Sequence, residues 1–367
     1  MSEIGAEDYA LVAAETAEVA APSLAYRPPM PRERSMGIAL VGAGGISGAH
    51  LDAYSKHGLN VVVVYSRDIA HAKARRDAYF PTARVTDDYE AVLSARDISV
   101  LDITTPADVR VGLMRRALAA GKHVLSQKPF VTQLGTGREL VAMAEAQGLK
   151  LAVNQNGRWA PHLAWMREAI RAGLIGAVTG VHIEINWNHN WVAGTPYDAM
   201  DDLILFDFGV HWFDFLVSVI GPRAQRVRAT TAHAHGQTAR APLLAQALVD
   251  FDGGQASLAF NGAATFGARD CTSIIGDRGA LYSQGPDLGH QRVELFTAAG
   301  VARPRLEGAW FNDGFAGAMG ALLCAIEDDR EPENGAHGNL TSLALCLAAV
   351  RSARTGVVAP LDARSVV

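Results

Sequence analysis

Cysteine is scarce in this chain: Cys271, Cys324 and Cys346 are the three present among 367 residues, far apart and in no metal-ligand spacing. That pattern excludes a disulfide framework and a structural zinc site, and it points to a reducing, cytoplasmic setting. His233-x-His235 does not replace them, because a lone pair with no third ligand nearby reads as ordinary surface histidine, so no metal is expected. A basic tract is missing too. With 33 Lys and Arg against 38 Asp and Glu, and a net charge of -5, neither nucleic acid nor an anionic membrane is the expected partner. No apolar run reaches the roughly 18 residues of a membrane span. Residues 1–35 are Ala-rich, then Pro-rich, without the basic start and apolar core of a secretory signal, and they read as an extension outside the main fold.

What remains is a globular composition, 49% hydrophobic and 19% charged, on a chain long enough for two domains. Gly37 to Val41 is a short apolar strand pattern, followed at once by Gly42-Ala43-Gly44-Gly45-Ile46-Ser47-Gly48 and a helical stretch through His57. Strand, glycine turn and helix in that order suit a dinucleotide: glycine lets the backbone turn tightly and approach a pyrophosphate, and the helix N-terminus aims N–H groups at it. Ser47 stands where a third glycine is expected and is small enough for that place. The alternation continues through strands at Val61 to Tyr65, Arg84 to Thr86, Ile98 to Ile103, His123 to Ser126 and Leu151 to Val153, with helices between them. This is the pattern of a parallel doubly wound sheet.

Candidate cofactor contacts follow from strand ends. Gly42, Gly44, Gly45 and Ile46 form the turn. Ser66 and Arg67 close the second strand, where the adenosine ribose is read; a hydroxyl and a guanidinium there favour NADP over NAD, with Asp68 close by as the opposing feature. Thr104, Thr105 and Pro106 follow a buried strand, and Gln127 and Lys128 end another, facing the same crevice.

From Asn154 the pattern changes. A polar linker and a helix from Pro161 to Ala172 lead to a long strand expected over Val178 to Trp191, then to a run of strands from Arg223 to Phe296 and two closing helices. Sequential strands of this kind predict an open, mostly antiparallel sheet. Between them lies Asp201 to Gly221, DDLILFDFGVHWFDFLVSVIG, read as one buried helix begun by an N-cap. Asp207 and His211, four apart, are expected on one face as a hydrogen-bonded pair.

Four features coincide: GAGGISGAH, the Lys-Pro at 128–129, NQNGRW from Asn154, and DFGVHWFD on the buried helix. Together they resemble the glucose-fructose oxidoreductase, inositol dehydrogenase and MocA family, over about Met36 to Leu361. The resemblance implies a Rossmann NAD(P)-binding domain at 36–156, an α+β substrate-binding and oligomerisation domain at 157–335, and a C-terminal helix and tail at 336–367 packing back toward the first domain. It also implies a cis Lys128-Pro129 peptide and three catalytic residues, Lys128, Asp207 and His211. The family's lysine is preceded by glutamate, where this chain has Gln127.

By residue type, His211 is the general base, Asp207 its orienting partner, and Lys128 the group that steadies charge on the reacting oxygen. Asn156, Arg158, Trp159 and Trp191 join these three as the expected substrate contacts, since aromatic faces beside amide groups suit a polyhydroxylated ring. The function so read is hydride transfer between NAD(P) and a secondary alcohol or ketone of a sugar, sugar derivative or cyclitol. A sensor of the same fold and an NAD-dependent glycosidase remain as alternatives. Apolar residues of both parities in Leu243 to Phe251 and Gln255 to Asn261 predict a homodimer or homotetramer through the C-terminal sheet.

Overall fold

The computed structural model describes residues 16–361. A two-residue strand, β1 (Glu18–Val19), precedes the first sheet. The chain then alternates through β2 (Ile38–Val41), α1 (Ser47–Lys56), β3 (Val61–Tyr65), α2 (Ile69–Tyr79), β4 (Arg84–Thr86), α3 (Tyr89–Ser94), β5 (Val100–Ile103), α4 (Ala107–Ala119), β6 (His123–Ser126), α5 (Leu134–Ala146) and β7 (Leu151–Val153). Every pairing is parallel, in the order β4-β3-β2-β5-β6-β7. Strands such as IALV and VLDI are buried at every position because helices cover both faces, which is why they read as unbroken apolar runs. Strand order reverses between β2 and β5, so the crevice for a ligand opens at their carboxyl ends.

The second half contains α6 (Pro161–Arg171), β8 (Val178–Asn186), α7 (Val210–Ile220), β9 (Ala224–Ala232), β10 (Leu244–Phe251), β11 (Gly254–Asn261), β12 (Arg269–Gly276), β13 (Gly279–Gly285), β14 (Arg292–Thr297), β15 (Gly300–Ala302), α8 (Phe315–Glu327), α9 (Ala336–Thr355) and β16 (Ala359–Pro360). The sheet runs β1-β15-β14-β13-β12-β8-β11-β10-β9-β16, antiparallel except at β8–β11 and β1–β15. Its inner face, including Val181, Ile183, Val249, Leu258 and Phe260, packs with Trp212, Phe213, Phe215 and Leu216 of α7 in one core. Each such side chain contributes about 1.5–3 kcal/mol by leaving water. The outer face carries Glu184, Arg226, Arg228, Gln246 and Gln255. This corrects the expectation that neither face is polar: Ala245, Ala247, Val249 and Phe251 point inward together, and on β10 the outer face keeps Leu244 and Leu248, the latter 60% exposed, beside Gln246 and Asp250.

Three further expectations change. The strand expected to reach Trp191 stops at Asn186, because the Asn188 side chain accepts from the Asn190 backbone N–H and turns the chain into a short 3-10 helix. The single helix over 201–221 is two: a π-helical turn at Leu203–Phe208, then α7, joined at Gly209. Asp202 makes no cap there; its carboxylate pairs with Arg354. The described part of the N-terminal extension lies on the fold rather than outside it. Glu18 and Val19 pair with Val301 and Ala302, Arg32 bridges to Asp328, and the Pro29 carbonyl sits where a Cβ on Gly320 would fall.

Helix α9 joins the halves. Leu340 and Leu343 pack into the core of the first sheet, and Leu345, Ala348 and Ala349 into that of the second. Arg158 after β7 adds a polar tie, with its guanidinium bidentate on Asp214 of α7 at 2.6 and 2.8 Å.

Candidate active site

The glycine turn forms one wall of a cavity of about 300 Å³ lined also by Ser66, Arg67, Thr104, Thr105 and Pro106. Gly42 has φ +111°, and a Cβ there would lie 3.0 Å from Thr105 and 3.1 Å from the Thr104 hydroxyl, so glycine is required both for conformation and for space. Around Gly44 and Gly45 a Cβ would meet nothing within 4 Å, which leaves their backbone open to a ligand. The cradle therefore fits a dinucleotide's phosphates. Gly45 lies in the adjoining groove beside Arg75, whose guanidinium donates to the Gly44 carbonyl at 3.2 Å. Ile46 instead packs beneath the turn, against the core. Asp68 accepts from the Ala70 N–H at 2.9 Å and the His71 N–H at 3.4 Å, capping α2. Arg67 and His71 line the same cavity. His71 and Arg75 escaped sequence reading because they lie in the first and second turns of a helix, with no motif to mark them.

Lys128 follows β6, and its peptide to Pro129 is cis. Its ammonium donates to the Asp207 carbonyl at 2.9 Å and the Asp207 carboxylate at 3.2 Å, across the boundary between the two halves. Both side chains keep some solvent access, 16% and 21%. Buried Arg110 braces the surroundings, donating to the Thr105 carbonyl at 3.1 Å and to the Pro129 carbonyl. Burial pushes its guanidinium down to about 10, opposed by Asp207 and Asp108, so it stays charged at neutral pH.

His211 does not take Asp207 as its partner, which corrects the expected pair. The π-helical turn places the aspartate on Lys128, and the His211 Nδ1 is buried without a hydrogen-bond partner. The turn requires Gly209: its N–H reaches back five residues to the Ile204 carbonyl at 2.7 Å, and a Cβ would fall 2.7 Å from the Leu205 carbonyl and 2.8 Å from that of Ile204. Burial first, and the Lys128 charge second, hold the imidazole of His211 well below its usual range, so it is neutral at physiological pH.

Aromatic rings surround His211. Its ring meets Trp310 edge-on at 5.5 Å; Trp310, Trp212, Phe208 and Trp187 follow in contact, and His189 lies 4.2 Å from Phe208. Trp191 stands at the rim, 62% exposed. Burial pushes His189 down to about 4, against the pull of Asp207. The side-chain nitrogens Nδ1 of His189, Nδ1 of His211 and Nε1 of Trp212 are all buried without a partner. Two expected substrate contacts are corrected. Arg158 is committed to Asp214 and the Glu333 carbonyl, and Trp159 is 3% exposed, packed on Ala318 and Ala321 of α8 with Arg167 over its ring. Asn156 uses its oxygen to accept from Trp310 at 3.0 Å, so it positions the wall of the site. Trp310 was missed because it lies in an irregular stretch far along the chain.

Two family models match the chain, the oxidoreductase family with NAD-binding Rossmann fold over residues 36–155 and the GFO/IDH/MocA C-terminal domain over 163–282. The chain belongs to the GFO/IDH/MocA family of oxidoreductases. It is 28% identical to D-apiose dehydrogenase of Paraburkholderia graminis over 337 residues, covering 87% of this chain and 88% of that enzyme. It is 29% identical to inositol 2-dehydrogenase of Rhizobium meliloti over 324 residues, 85% of this chain and 95% of that enzyme. The fold also matches that of an Agrobacterium radiobacter oxidoreductase solved with NAD+, L-tartaric acid and magnesium, with a TM-score of 0.80 at 21% identity over 89% of this chain and 98% of that one. The WlbA dehydrogenase of Bordetella pertussis gives 0.74 at 24%, over 90% and 99%. This family member is thus an oxidoreductase with an NAD-binding Rossmann domain and a C-terminal, mostly antiparallel sheet. No helix among the described residues is long and apolar enough to cross a membrane.

Proposed function

We propose that the chain interconverts a secondary alcohol and a ketone on a polyhydroxylated ring, a sugar, sugar derivative or cyclitol, at the crevice between Lys128 and His211. The observation that carries this reading is the convergence of the Lys128–Asp207 contact, the unpartnered His211 Nδ1 and the tryptophan wall. In the direction of oxidation, His211 takes the hydroxyl proton, and in reduction it returns it. Lys128 donates a hydrogen bond to the reacting oxygen and steadies its developing charge, while Asp207 holds the ammonium in place. The bound nicotinamide cofactor supplies hydride exchange. Half-buried Trp187 and exposed Trp191 offer ring faces to C–H groups, with Trp212 and Trp310 packed behind them as the buried wall. Relatives named for D-apiose and inositol support this class. A panel of sugars, inositols and aldonates, followed by reduced-nicotinamide absorbance with each cofactor, tests it; turnover confined to acyclic alcohols would contradict it.

The cofactor reading is NADP in preference to NAD. Asp68, Arg67 and His71 line the same cavity; one Asp68 oxygen caps α2 and the other lies 3.5 Å from His71, while the Arg67 guanidinium suits a 2'-phosphate. Arg67→Ala should weaken NADP binding about tenfold more than NAD binding. The three cysteines are free thiols, which supports a cytoplasmic enzyme. The polar outer face of the sheet removes the apolar argument for a dimer or tetramer through it, and Leu248 alone does not restore it.

A further inference from the structure

The buried face of α4 carries Arg110, Met114, Ala117 and Leu118, the i, i+4, i+7 and i+8 spacing of an apolar stripe. Three of the four are apolar; the first is a guanidinium, 1% exposed. The other arginines of this helix, Arg115 and Arg116, reach water and pair with Glu139 and Glu90. Arg110 meets no carboxylate in direct contact among the described residues. Two neutral carbonyls accept from it, and its Nε is buried without a partner. Burying a cation on these terms destabilises a fold that methionine or leucine at the same place would hold together better, so packing does not explain the residue.

The two carbonyls do explain it. Thr105 lines the cavity read as the cofactor site, and Pro129 directly follows Lys128. A guanidinium donates only and its fork is planar, so a grip on both carbonyls fixes their separation, with no amide flip or tautomer left to choose. Asp207 supplies the one notable attraction for the Arg110 charge besides that of Asp108, and it is the same carboxylate that meets Lys128 at 3.2 Å. Arg110 therefore touches the cofactor wall on one side and the lysine segment on the other, while its charge favours an ionised Asp207.

We propose that Arg110 is a positioning residue for the reaction: it locks the Lys128-Pro129 segment to the Thr105 wall, so that the lysine ammonium stands at a fixed place relative to the bound cofactor, and it acts on turnover through Lys128. This rests on the reading that Lys128 donates to the reacting oxygen. Misplacement of such a donor by about 1 Å is enough for a loss approaching a hundredfold.

The experiment is a double-mutant cycle on the full chain, read by single-turnover rates of the cofactor-saturated complexes with the best substrate of the sugar and cyclitol panel. Arg110→Met keeps the stripe filled and removes both donations; the rate should fall about thirtyfold. In a Lys128→Met background the same change should cost less than about threefold, because the group it positions is already gone. Arg110→Lys keeps the charge but cannot span both carbonyls, and it should stay within about threefold of Arg110→Met. A wild-type rate in Arg110→Met, a full rescue by Arg110→Lys, or a thirtyfold loss repeated without Lys128 would each overturn the proposal, the last by making Arg110 a general structural brace. If Arg110→Met fails to fold, Arg110→Lys measured in both backgrounds decides the same question. Lys128→Met that turns over as fast as wild type would instead defeat the underlying reading of the lysine, whatever Arg110 does.

Discussion

Two carboxylates seven positions apart on the same buried segment make opposite use of a cation. Asp214 is 1% exposed and saturated: Arg158 grips both its oxygens, and Ser342 and Asn339 add donors at 2.8 and 3.3 Å. Asp207 meets Lys128 through one oxygen at 3.2 Å, at the edge of the crevice, with solvent nearby. The Lys128 pair ties the Rossmann half to the turn before α7, and the Arg158 pair ties the segment after β7 to α7. A bidentate, fully satisfied pair holds geometry, whereas a looser pair has a proton-donating cation to share with a third group. Ion pairing by itself does not separate structure from catalysis; completeness of the partners does.

The largest effect should come from the saturated pair. Asp214→Ala leaves the Arg158 guanidinium buried and uncompensated, at a cost of about 3–5 kcal/mol. Chemical denaturation measures it; a loss below about 1 kcal/mol would erase the contrast. Asp207→Ala is the converse case. Turnover should fall about a hundredfold, about 2.7 kcal/mol in transition-state stabilisation, while unfolding stability changes by less than about 1 kcal/mol, as for other solvent-accessible pairs. Equal damage to stability and turnover would make Asp207 a second structural residue.

Buried histidines of the C-terminal half should set its response to acid. Burial pushes His162, beside Trp310, down to about 3, and His211 well below its ordinary value of 6.5. Because these pKa values are lower in the folded state, the unfolded chain binds more protons. Their contribution to stability is complete above about pH 6.5 and is lost as pH falls from there toward the folded values. Melting curves of wild type and His162→Phe should converge, or cross in favour of the variant, between pH 6.5 and 4. A constant difference would show that His162 does not titrate on unfolding. Activity, by contrast, should keep its basic form of His211 below pH 6.5, with the acid limb of kcat/KM displaced downward.

The Rossmann half was legible almost to the residue. Val61–Tyr65, Arg84–Thr86 and Leu151–Val153 match their expected bounds, because unbroken apolar strands and a glycine turn are local signals. The site was legible in residue type but not in pairing. Asp207 and His211 at i and i+4 imply contact only in a regular α-helix, and the i to i+5 bond at Gly209 depends on packing around Leu205 that no local pattern carries. Arg158 and Trp159 look like ligand contacts in a polar segment, yet Asp214 and Gly317, far along the chain, claim them. Arg110 went unnoticed for the same reason: it looks like one more helix arginine until α4 and the segment after β6 come together.

The central claim is that Lys128 acts on the reacting oxygen, and single-turnover kinetics tests it most directly. Lys128→Met and wild type would each be mixed, as saturated cofactor complexes, with the best substrate of the sugar and cyclitol panel, and the reduced-nicotinamide absorbance followed alongside the cofactor dissociation constant. The account predicts a rate at least about a hundredfold slower, with cofactor binding changed by less than about threefold. A rate within about threefold of wild type would contradict it.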